Sequence, residues 1–314
     1  MIGIDVAKHT LTVCRWDPDQ EEPAWERSYP NSEAGLQHLL ADTPADVPWV
    51  LEPTGPYGEL TVRVGQEAGR TLLMAHTFAA KLFLRSLNPR AKTDKVDARG
   101  LARYGLHRRL RPYRLKEASL QRLWELLQVR CGLGRSLAAL RQQIQVLPQA
   151  AALAQPVADD LQTRINAFDD AIQEAGQQLE LFVRLDAIPG VGTLTAAGLT
   201  VRLLSLDFPS YDAFVAYLGL DLRVFESGTR KGQRHLSKRG DAHLRWLLYL
   251  AAKATLRAKA GADFKQLYLR KRAEGQTTTG SICIVARKLA KVAWSLAHSG
   301  QAYDPARAFS APAT

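Results

Sequence analysis

The fold class is decided by two short runs near the start of the chain, IGIDV at residues 2–6 and LTVCRW at residues 11–16. Both runs are apolar, and the second is rich in β-branched and aromatic residues, so they predict two β-strands. The gap between the runs is short, which favours a hairpin. Asp5 lies near the end of the first predicted strand.

Further elements extend this pattern through the first third of the chain. Ser32 predicts the N-cap of a helix that ends near Leu40. Residues 48–52 and 71–74 predict two more strands, and a turn at Pro53-Thr54-Gly55-Pro56 separates the first of them from a helix over residues 60–68. Strands that alternate with helices predict an α/β domain over residues 1–116.

Residues 117–185 carry a different, seven-residue repeat. The first arm repeats apolar residues at Leu126, Leu133, Leu140 and Leu147, with partners at Leu123, Leu137 and Ile144, and Arg130 is the exception. The second arm steps by fours and threes from Leu161 to Phe182. Pro148 and Pro156 are predicted to bracket the turn between the arms. The repeat predicts a coiled-coil helical hairpin, and two core helices of a globular domain are the alternative.

The rest of the chain is predicted to be a mainly helical domain over residues 186–300 with a flexible tail at 301–314. The loop IPGVG at residues 188–192 resembles a helix-hairpin-helix element. Gly190 and Gly192 would let backbone N–H groups approach a phosphate, beside the N-terminus of the next helix. A tight turn between two helices that binds no ligand is the other interpretation.

Composition indicates a polyanionic partner. The 314 residues include 42 Lys and Arg against 31 Asp and Glu, which gives a formal charge of +11 and a pI near 9.7. Such a balance favours nucleic acid over an acidic membrane surface. No apolar run approaches the roughly 18 residues that span a bilayer. We therefore expect a cytoplasmic, nucleoid-associated protein.

Four acids stand where a metal site would need them. Asp5 and Glu52 end predicted strands, and Asp94 and Asp97 share one face of a helix that Thr93 is expected to cap. Hard cations such as Mg²⁺ take oxygen ligands. Taken singly, each acid is better explained by solvation or by the helix dipole than by metal binding. Residues 81–116 nevertheless hold twelve Lys and Arg against only two acids, a setting that suits metal binding beside a phosphate backbone.

A serine lies in a second basic segment. Residues 226–241 hold five Lys and Arg, three Gly and Ser237 among the segment's cations. A serine hydroxyl is a weak nucleophile unless its surroundings activate it. Arg234, Lys238 and Arg239 could neutralise a phosphate under attack. A flexible phosphate-binding loop with an incidental serine remains the alternative.

Five motifs occur together and in a fixed order. They are GIDVAK at 3–8, EPTG at 52–55, KTDKVDAR at 92–99, IPGVG at 188–192 and SKRGD at 237–241. This ordered set resembles the DEDD transposases of the IS-one-ten (IS110) insertion-sequence family over nearly the whole chain. The resemblance implies a RuvC-like, ribonuclease-H-type N-terminal domain, a coiled-coil connector and a C-terminal transposase domain.

The resemblance also implies specific roles. Asp5, Glu52, Asp94 and Asp97 inherit Mg²⁺ binding, and Ser237 inherits the attack on DNA that links the protein to it. The family works with a bridge RNA that pairs with donor and target DNA. Its active sites are composite between protomers of a tetramer, so a homo-oligomer is expected.

Basic and glycine residues around the motifs are the predicted nucleic-acid contacts. These are Arg90, Lys92, Lys95, Arg99, Gly190, Gly192, Arg230, Lys231, Arg234, Lys238 and Arg239. The leading hypothesis is thus a DNA transposase. A RuvC-like junction nuclease would use the same acids with water as nucleophile, and a structural DNA/RNA-binding protein would use neither the acids nor the serine.

Overall fold

A computed structural model describes residues 1–52, 55–75, 77–87, 93–113, 117–223, 226–227, 230–231 and 235–309. The chain divides into two compact units, Met1–Leu115 and Lys116–Thr314. The first is a mixed α/β unit and the second is mostly helical, which confirms the predicted class. The described helices include none that is both long and apolar enough to cross a membrane.

The first unit is built on one six-stranded sheet. Its strands are β1 (Ile2–Val6), β2 (Thr10–Arg15), β3 (Trp25–Pro30), β4 (Trp49–Leu51), β5 (Leu72–Met74) and β6 (Arg111–Pro112). Their order across the sheet is β3-β2-β1-β4-β5-β6. The β1–β4 and β4–β5 pairs are parallel, whereas the other pairs are antiparallel. This mixed sheet is consistent with a RuvC-like domain.

Helices cover both faces of the sheet. They are α1 (Glu33–Asp42), α2 (Glu59–Glu67), α3 (Thr77–Leu87) and α4 (Asp94–His107), with a 3₁₀ turn at Gly55–Gly58. Ile2 and Ile4 of β1 join a core with Leu36 of α1 and Val62 of α2. Side chains alternate along a strand, so the other β1 residues face the opposite side, where α4 packs.

The predicted elements of this unit are confirmed with small shifts at their ends. Ser32 caps α1, and its side chain accepts a hydrogen bond from Gly35 N. The hairpin of β1 and β2 has the expected antiparallel register. Three further elements, β3, α3 and β6, were not predicted from the sequence. The turn at Pro53-Thr54 lies outside the described residues.

The second unit consists of helices around one large apolar core. The helices are α5 (Ala118–Val146), α6 (Pro148–Gln177), α7 (Glu180–Asp186), α8 (Thr193–Ser205), α9 (Tyr211–Tyr217), α10 (Ala242–Thr255), α11 (Ala262–Ala273), α12 (Thr278–Ser299) and α13 (Pro305–Phe309), with a 3₁₀ turn at Lys259–Gly261. Between α9 and α10 lie four two-residue strands, β7 (Leu222–Arg223), β8 (Glu226–Ser227), β9 (Arg230–Lys231) and β10 (His235–Leu236). The strands pair as β7 with β10 and β8 with β9.

Helices α5 and α6 form an antiparallel hairpin with an apolar seam of its own. Leu137 of α5 packs with Ala158 and Ile165 of α6. Arg130, which interrupts the heptad pattern, forms a bidentate ion pair with Asp169 across the hairpin, at 2.7 and 3.0 Å. The polar exception in the seam is therefore satisfied by a charged partner on the opposite helix. Coiled-coil geometry of the hairpin stays a prediction.

The predicted position of the turn in the hairpin is wrong. Pro148 and Pro156 do not bracket a turn, because α6 begins at Pro148 and continues through Pro156. The helix tolerates Pro148 at its first position, where the N–H group has no intrahelical partner. In the tail after Gly300, Phe309 of α13 packs edge-on against Phe264, with ring centroids 4.8 Å apart, and the flexibility of the tail stays a prediction. Residues 310–314 lie outside the described part of the chain.

The ion pair between Arg130 and Asp169 leads to a prediction about the stability of the protein. Replacing Arg130 with Ala leaves the partly enclosed Asp169 carboxylate without its partner, so we expect the free energy of unfolding to fall by about 1.5–3 kcal/mol. Urea unfolding followed by circular dichroism measures this change. The matched control is Arg164→Ala, which removes an exposed pair with Asp160 on α6 and should cost no more than about 0.5 kcal/mol. Equal losses in the two variants would contradict a structural role for the Arg130 pair.

Candidate active site

The register of two parallel strands places Asp5 beside Glu52. Gly3 lies opposite Val50 and Ile4 lies opposite Leu51, so the next pair in that register is Asp5 and Glu52. The period of two along a strand puts both carboxylates on the same face as Gly3 and Val50. Two of the four predicted acids therefore share one face and one edge of the sheet.

Helix α4 packs on that face and brings the other two acids towards the same edge. A Cβ atom added to Gly3 would lie 2.1 Å from the carbonyl oxygen of Ala98, whereas one added to Gly105 would lie 2.6 Å from Val50 and 3.1 Å from Met1. The helix thus runs antiparallel to β1, and its C-terminal part lies near the start of that strand. Its N-terminal turn, which carries Asp94 and Asp97, consequently lies at the carboxyl edge of β1 and β4.

The cap of α4 fixes this N-terminal turn. Thr93 Oγ1 accepts a hydrogen bond from Val96 N at 3.3 Å, as the sequence predicts. Asp94 is exposed, and Asp97 is half-buried. Asp5 and Glu52 are half-buried as well. The backbone therefore directs the four acids towards one edge of the sheet, and carboxylate oxygens are ligands that suit a hard divalent cation. Over the described residues, no three Asp, Glu, His or Cys side chains converge closely enough to hold a metal ion.

The basic residues near these acids do not all behave alike. Arg99, a predicted nucleic-acid contact, forms a bidentate ion pair with Glu26 of β3. The hydrogen bond from Arg99 lowers the pKa of the Glu26 carboxyl. Lys95 is exposed. Arg90 and Lys92 lie outside the described residues.

Ser237 is held by a short antiparallel ladder in the second unit. Leu236 of β10 pairs with Leu222 of β7, which places Ser237 opposite Asp221, and Ser237 N donates to Asp221 O at 2.8 Å. The Ser237 hydroxyl donates a hydrogen bond to the Asp221 carboxylate. It also accepts one from Arg239 N at 3.3 Å. Only 9% of Ser237 is exposed, so its hydroxyl has a fixed position rather than a solvated one.

The turn after Ser237 has an unusual backbone. Lys238 has a φ angle of +54°, a left-handed conformation that costs a residue with a side chain about 1–2 kcal/mol. Lys238 N donates to Gly219 O at 3.1 Å. Gly240 approaches the chain so closely that an added Cβ would lie 2.0 Å from Tyr217 O. Side chains of Lys238 and Arg239 are exposed and remain candidates for phosphate contact.

Asp241 anchors the end of this turn to α10. Its carboxylate caps the helix by accepting from Leu244 N at 3.0 Å and accepts from Arg202 Nε at 3.0 Å. Burial alone would raise the pKa of Asp241, but the charge of Arg202 and the Leu244 N–H outweigh burial and lower it. The motif at residues 237–241 therefore contains one acid whose contacts are structural.

The remaining predicted contacts fall into three groups. Gly190 has a φ angle of +80°, and an added Cβ would lie 2.3 Å from Thr255 N, so packing against α10 explains this glycine without a ligand. Gly192 is exposed at the N-cap of α8. Arg230 and Lys231 belong to β9, but their side chains are not described, and Arg234 lies outside the described residues.

Sequence analysis missed a basic cavity of about 250 Å³ in the second unit. Lys253, Arg257 and Lys265 line it together with Tyr268 and three apolar side chains. In the part of the chain that the structure describes, no acid is ion-paired with these three cations. Cations beside an aromatic ring suit a nucleotide. The signal in the sequence is weak, since the cavity forms only when α10 and α11 both pack against α12, which contributes Ile282 to its lining.

A mixed α/β unit followed by a basic, mostly helical unit with a serine loop is the arrangement expected of the DEDD transposase class. Residues 2–151 match the IS110 DEDD transposase family model, and residues 183–269 match the model described as transposase of the IS116/IS110/IS902 family. The chain belongs to the IS110 family of transposases.

Several relatives agree with this assignment. The pilin gene-inverting protein of Moraxella bovis is 24% identical, over 96% of this chain and 97% of that protein. The transposase for insertion sequence element IS1111A of Coxiella burnetii is 27% identical over 68% of each chain. An IS116 protein of Streptomyces clavuligerus is 27% identical to this chain, and the match covers 55% of this chain and 44% of that protein.

Because the backbone passes so close to Gly240, adding one methyl group at this position should destabilise the fold. Gly240→Ala would force Cβ into the Tyr217 carbonyl, so we expect the free energy of unfolding to fall by about 1–3 kcal/mol. The control Gly132→Ala adds the same atom in α5, where nothing lies within 4 Å. It should raise stability by about 0.5–1 kcal/mol, because alanine favours helix. Urea unfolding of both variants tests the packing, and a neutral Gly240→Ala would refute it.

Proposed function

We propose that the protein is a DNA recombinase that moves an insertion sequence, guided by a bridge RNA that pairs with donor and target DNA. Family membership supports strand exchange on DNA. The observation that carries the finer proposal is the environment of Ser237, whose hydroxyl hydrogen-bonds to a carboxylate and a backbone N–H beside two exposed cations. Such a serine is positioned as a nucleophile rather than as a solvated surface residue.

Asp5, Glu52, Asp94 and Asp97 would hold Mg²⁺. When bound, the ion would supply charge stabilisation to a phosphodiester under attack. Support for this role comes from the strand register and the direction of α4, which bring the four acids towards one edge of the sheet, and from the preference of Mg²⁺ for oxygen ligands. Lys95 lies beside Asp94 in the chain and is exposed, so it is suited to contact the phosphate backbone.

Ser237 would attack the scissile phosphate and become linked to one DNA strand, and a DNA hydroxyl would later attack that linkage to rejoin the strands. Exposed Lys238 and Arg239 would then neutralise charge that develops on the phosphate. Base pairing by the RNA would choose the sequence, and the protein would bind both backbones through its basic surfaces.

The acids and the serine would act on the same phosphodiester, contributed by different protomers of a homo-oligomer. This follows the family pattern and is a proposal for this chain. A RuvC-like nuclease that uses water as nucleophile is the second candidate. The four acids at one edge favour it equally, but the Ser237 contacts have no role in it.

A covalent adduct separates the candidates. With matched bridge RNA, donor DNA, target DNA and Mg²⁺, we expect the protein to form a DNA adduct that maps to Ser237. Ser237→Ala should abolish the adduct and lower strand exchange by at least about 10³-fold, since no other group replaces the nucleophile. The control Ser299→Ala, on an exposed helix end, should behave as wild type.

Other results of that assay contradict the proposal. Cleavage that persists in Ser237→Ala without an adduct would indicate the nuclease, and binding without cleavage would indicate a structural protein. Asp97→Asn alone should be inactive, whereas Asp46→Asn, which changes an exposed acid elsewhere, should be active. Mixing Ser237→Ala protein with Asp97→Asn protein should restore part of the exchange if the two sets act from different protomers. No restoration would refute the composite arrangement.

The basic cavity makes a separate prediction about nucleic-acid affinity. Removing the Lys265 charge should weaken binding of single-stranded DNA and RNA and lower the slope of log affinity against log salt by about 1. Fluorescence anisotropy at several salt concentrations measures both. Arg164→Ala removes the same charge from an arginine already paired with Asp160 and should leave the slope unchanged. A Lys265→Ala slope equal to that of wild type would exclude the cavity as a binding surface.

A further inference from the structure

We propose that Asp221 is the general base that takes the proton from Ser237 during DNA cleavage. The inference rests on the proposed role of Ser237 as nucleophile and adds a residue that none of the five motifs contains. Asp221 directly follows the core residue Leu220 and precedes β7. The β7–β10 register fixes its position opposite Ser237.

The hydrogen-bond direction supports proton transfer. The Ser237 hydroxyl donates to Asp221 Oδ1, so the proton to be removed already points at the acceptor. A general base must lie within hydrogen-bond reach of that proton. Arg239 N donates a hydrogen bond to Ser237 Oγ, where it would stabilise the negative charge that develops on Oγ as the proton leaves.

The surroundings of Asp221 argue against a purely structural carboxylate. Structural acids nearby have cationic partners, as Asp241 has Arg202 and Asp212 has Arg287. Within the described residues, no Lys or Arg forms an ion pair with Asp221. Among the described residues, the side-chain contact of the Asp221 carboxylate is therefore the Ser237 hydroxyl, which places the carboxylate to receive the hydroxyl proton.

The chemical step balances without another reagent. The Ser237 Oγ–phosphorus bond forms while the bond from phosphorus to the leaving deoxyribose oxygen breaks. The Oγ proton passes to Asp221, and the leaving oxygen takes a proton from solvent. On rejoining, a DNA hydroxyl attacks the phosphoserine and loses its proton to solvent, while Asp221 returns its proton to Oγ.

Two substitutions distinguish proton transfer from positioning. Asp221→Asn keeps the shape and can still accept the serine hydrogen bond, but it cannot take the proton. Asp221→Glu keeps the carboxylate and shifts it by one methylene. If Asp221 is the base, the Asn variant should form adduct about 10²–10⁴-fold more slowly than wild type, and the Glu variant should be faster than Asn.

The measurement is single-turnover adduct formation by the full chain with bridge RNA, donor DNA and target DNA. DNA affinity and urea unfolding are measured in parallel, because a chemical role should leave both near wild type. Asp212→Asn in the same unit is the control and should form adduct at the wild-type rate.

Each outcome decides the question. An Asn variant within about threefold of wild type, or one faster than the Glu variant, would overturn the proton-transfer role while leaving Ser237 as nucleophile. If the wild-type adduct does not map to Ser237, the proposed function itself fails, and the inference fails with it. A slow Asn variant that binds DNA normally, with partial rescue by Glu, supports the inference.

Discussion

The approach of α4 to β1 at Gly3 is the constraint on which the first unit depends. A side chain at Gly3 would collide with the helix backbone at Ala98 and Ala102, so the glycine lets two backbones pack directly. This contact sets the height of α4 over the sheet. Because the helix runs antiparallel to β1, the same contact carries its capped N-terminal turn to the strand edge where Asp5 ends the apolar run. The placement of Asp94 and Asp97 relative to β1 thus depends on the missing side chain of Gly3.

In the second unit, the position of Ser237 relative to Asp221 is determined by the pairing register of two strands rather than by a helix contact. Strands β7 and β10 contain two residues each, too few to be stable without the surrounding core. Their pairing nevertheless decides which residue faces Ser237. A slip of one residue would turn Asp221 to the other face of the ladder. The large apolar core that includes Leu218 and Leu220 holds the strand in place.

Some features of the structure can be predicted from local patterns in the sequence, whereas others depend on contacts between distant residues. The alternation in β1 and β2 and the caps Ser32 and Thr93 are local signals, and the structure confirms them. Edge strand β3 was missed because charged residues interrupt its apolar pattern. The exception at Arg130 could be seen in the heptads, but its partner Asp169 lies 39 residues away. Asp221 was missed for the same reason, since only tertiary pairing joins it to Ser237.

The strained turn at residues 238–240 fits a site that must hold one hydroxyl still. A left-handed lysine persists only where neighbouring contacts determine the backbone on both sides. Here Lys238 N is bonded to Gly219 O, and the Asp241 cap is bonded to Arg202. Neither contact involves the serine side chain. The backbone strain at Lys238 is therefore offset by contacts outside Ser237, and the Ser237 hydroxyl keeps its two hydrogen bonds. An enzyme gains from this separation, because groups positioned before the substrate arrives need not be ordered during the reaction.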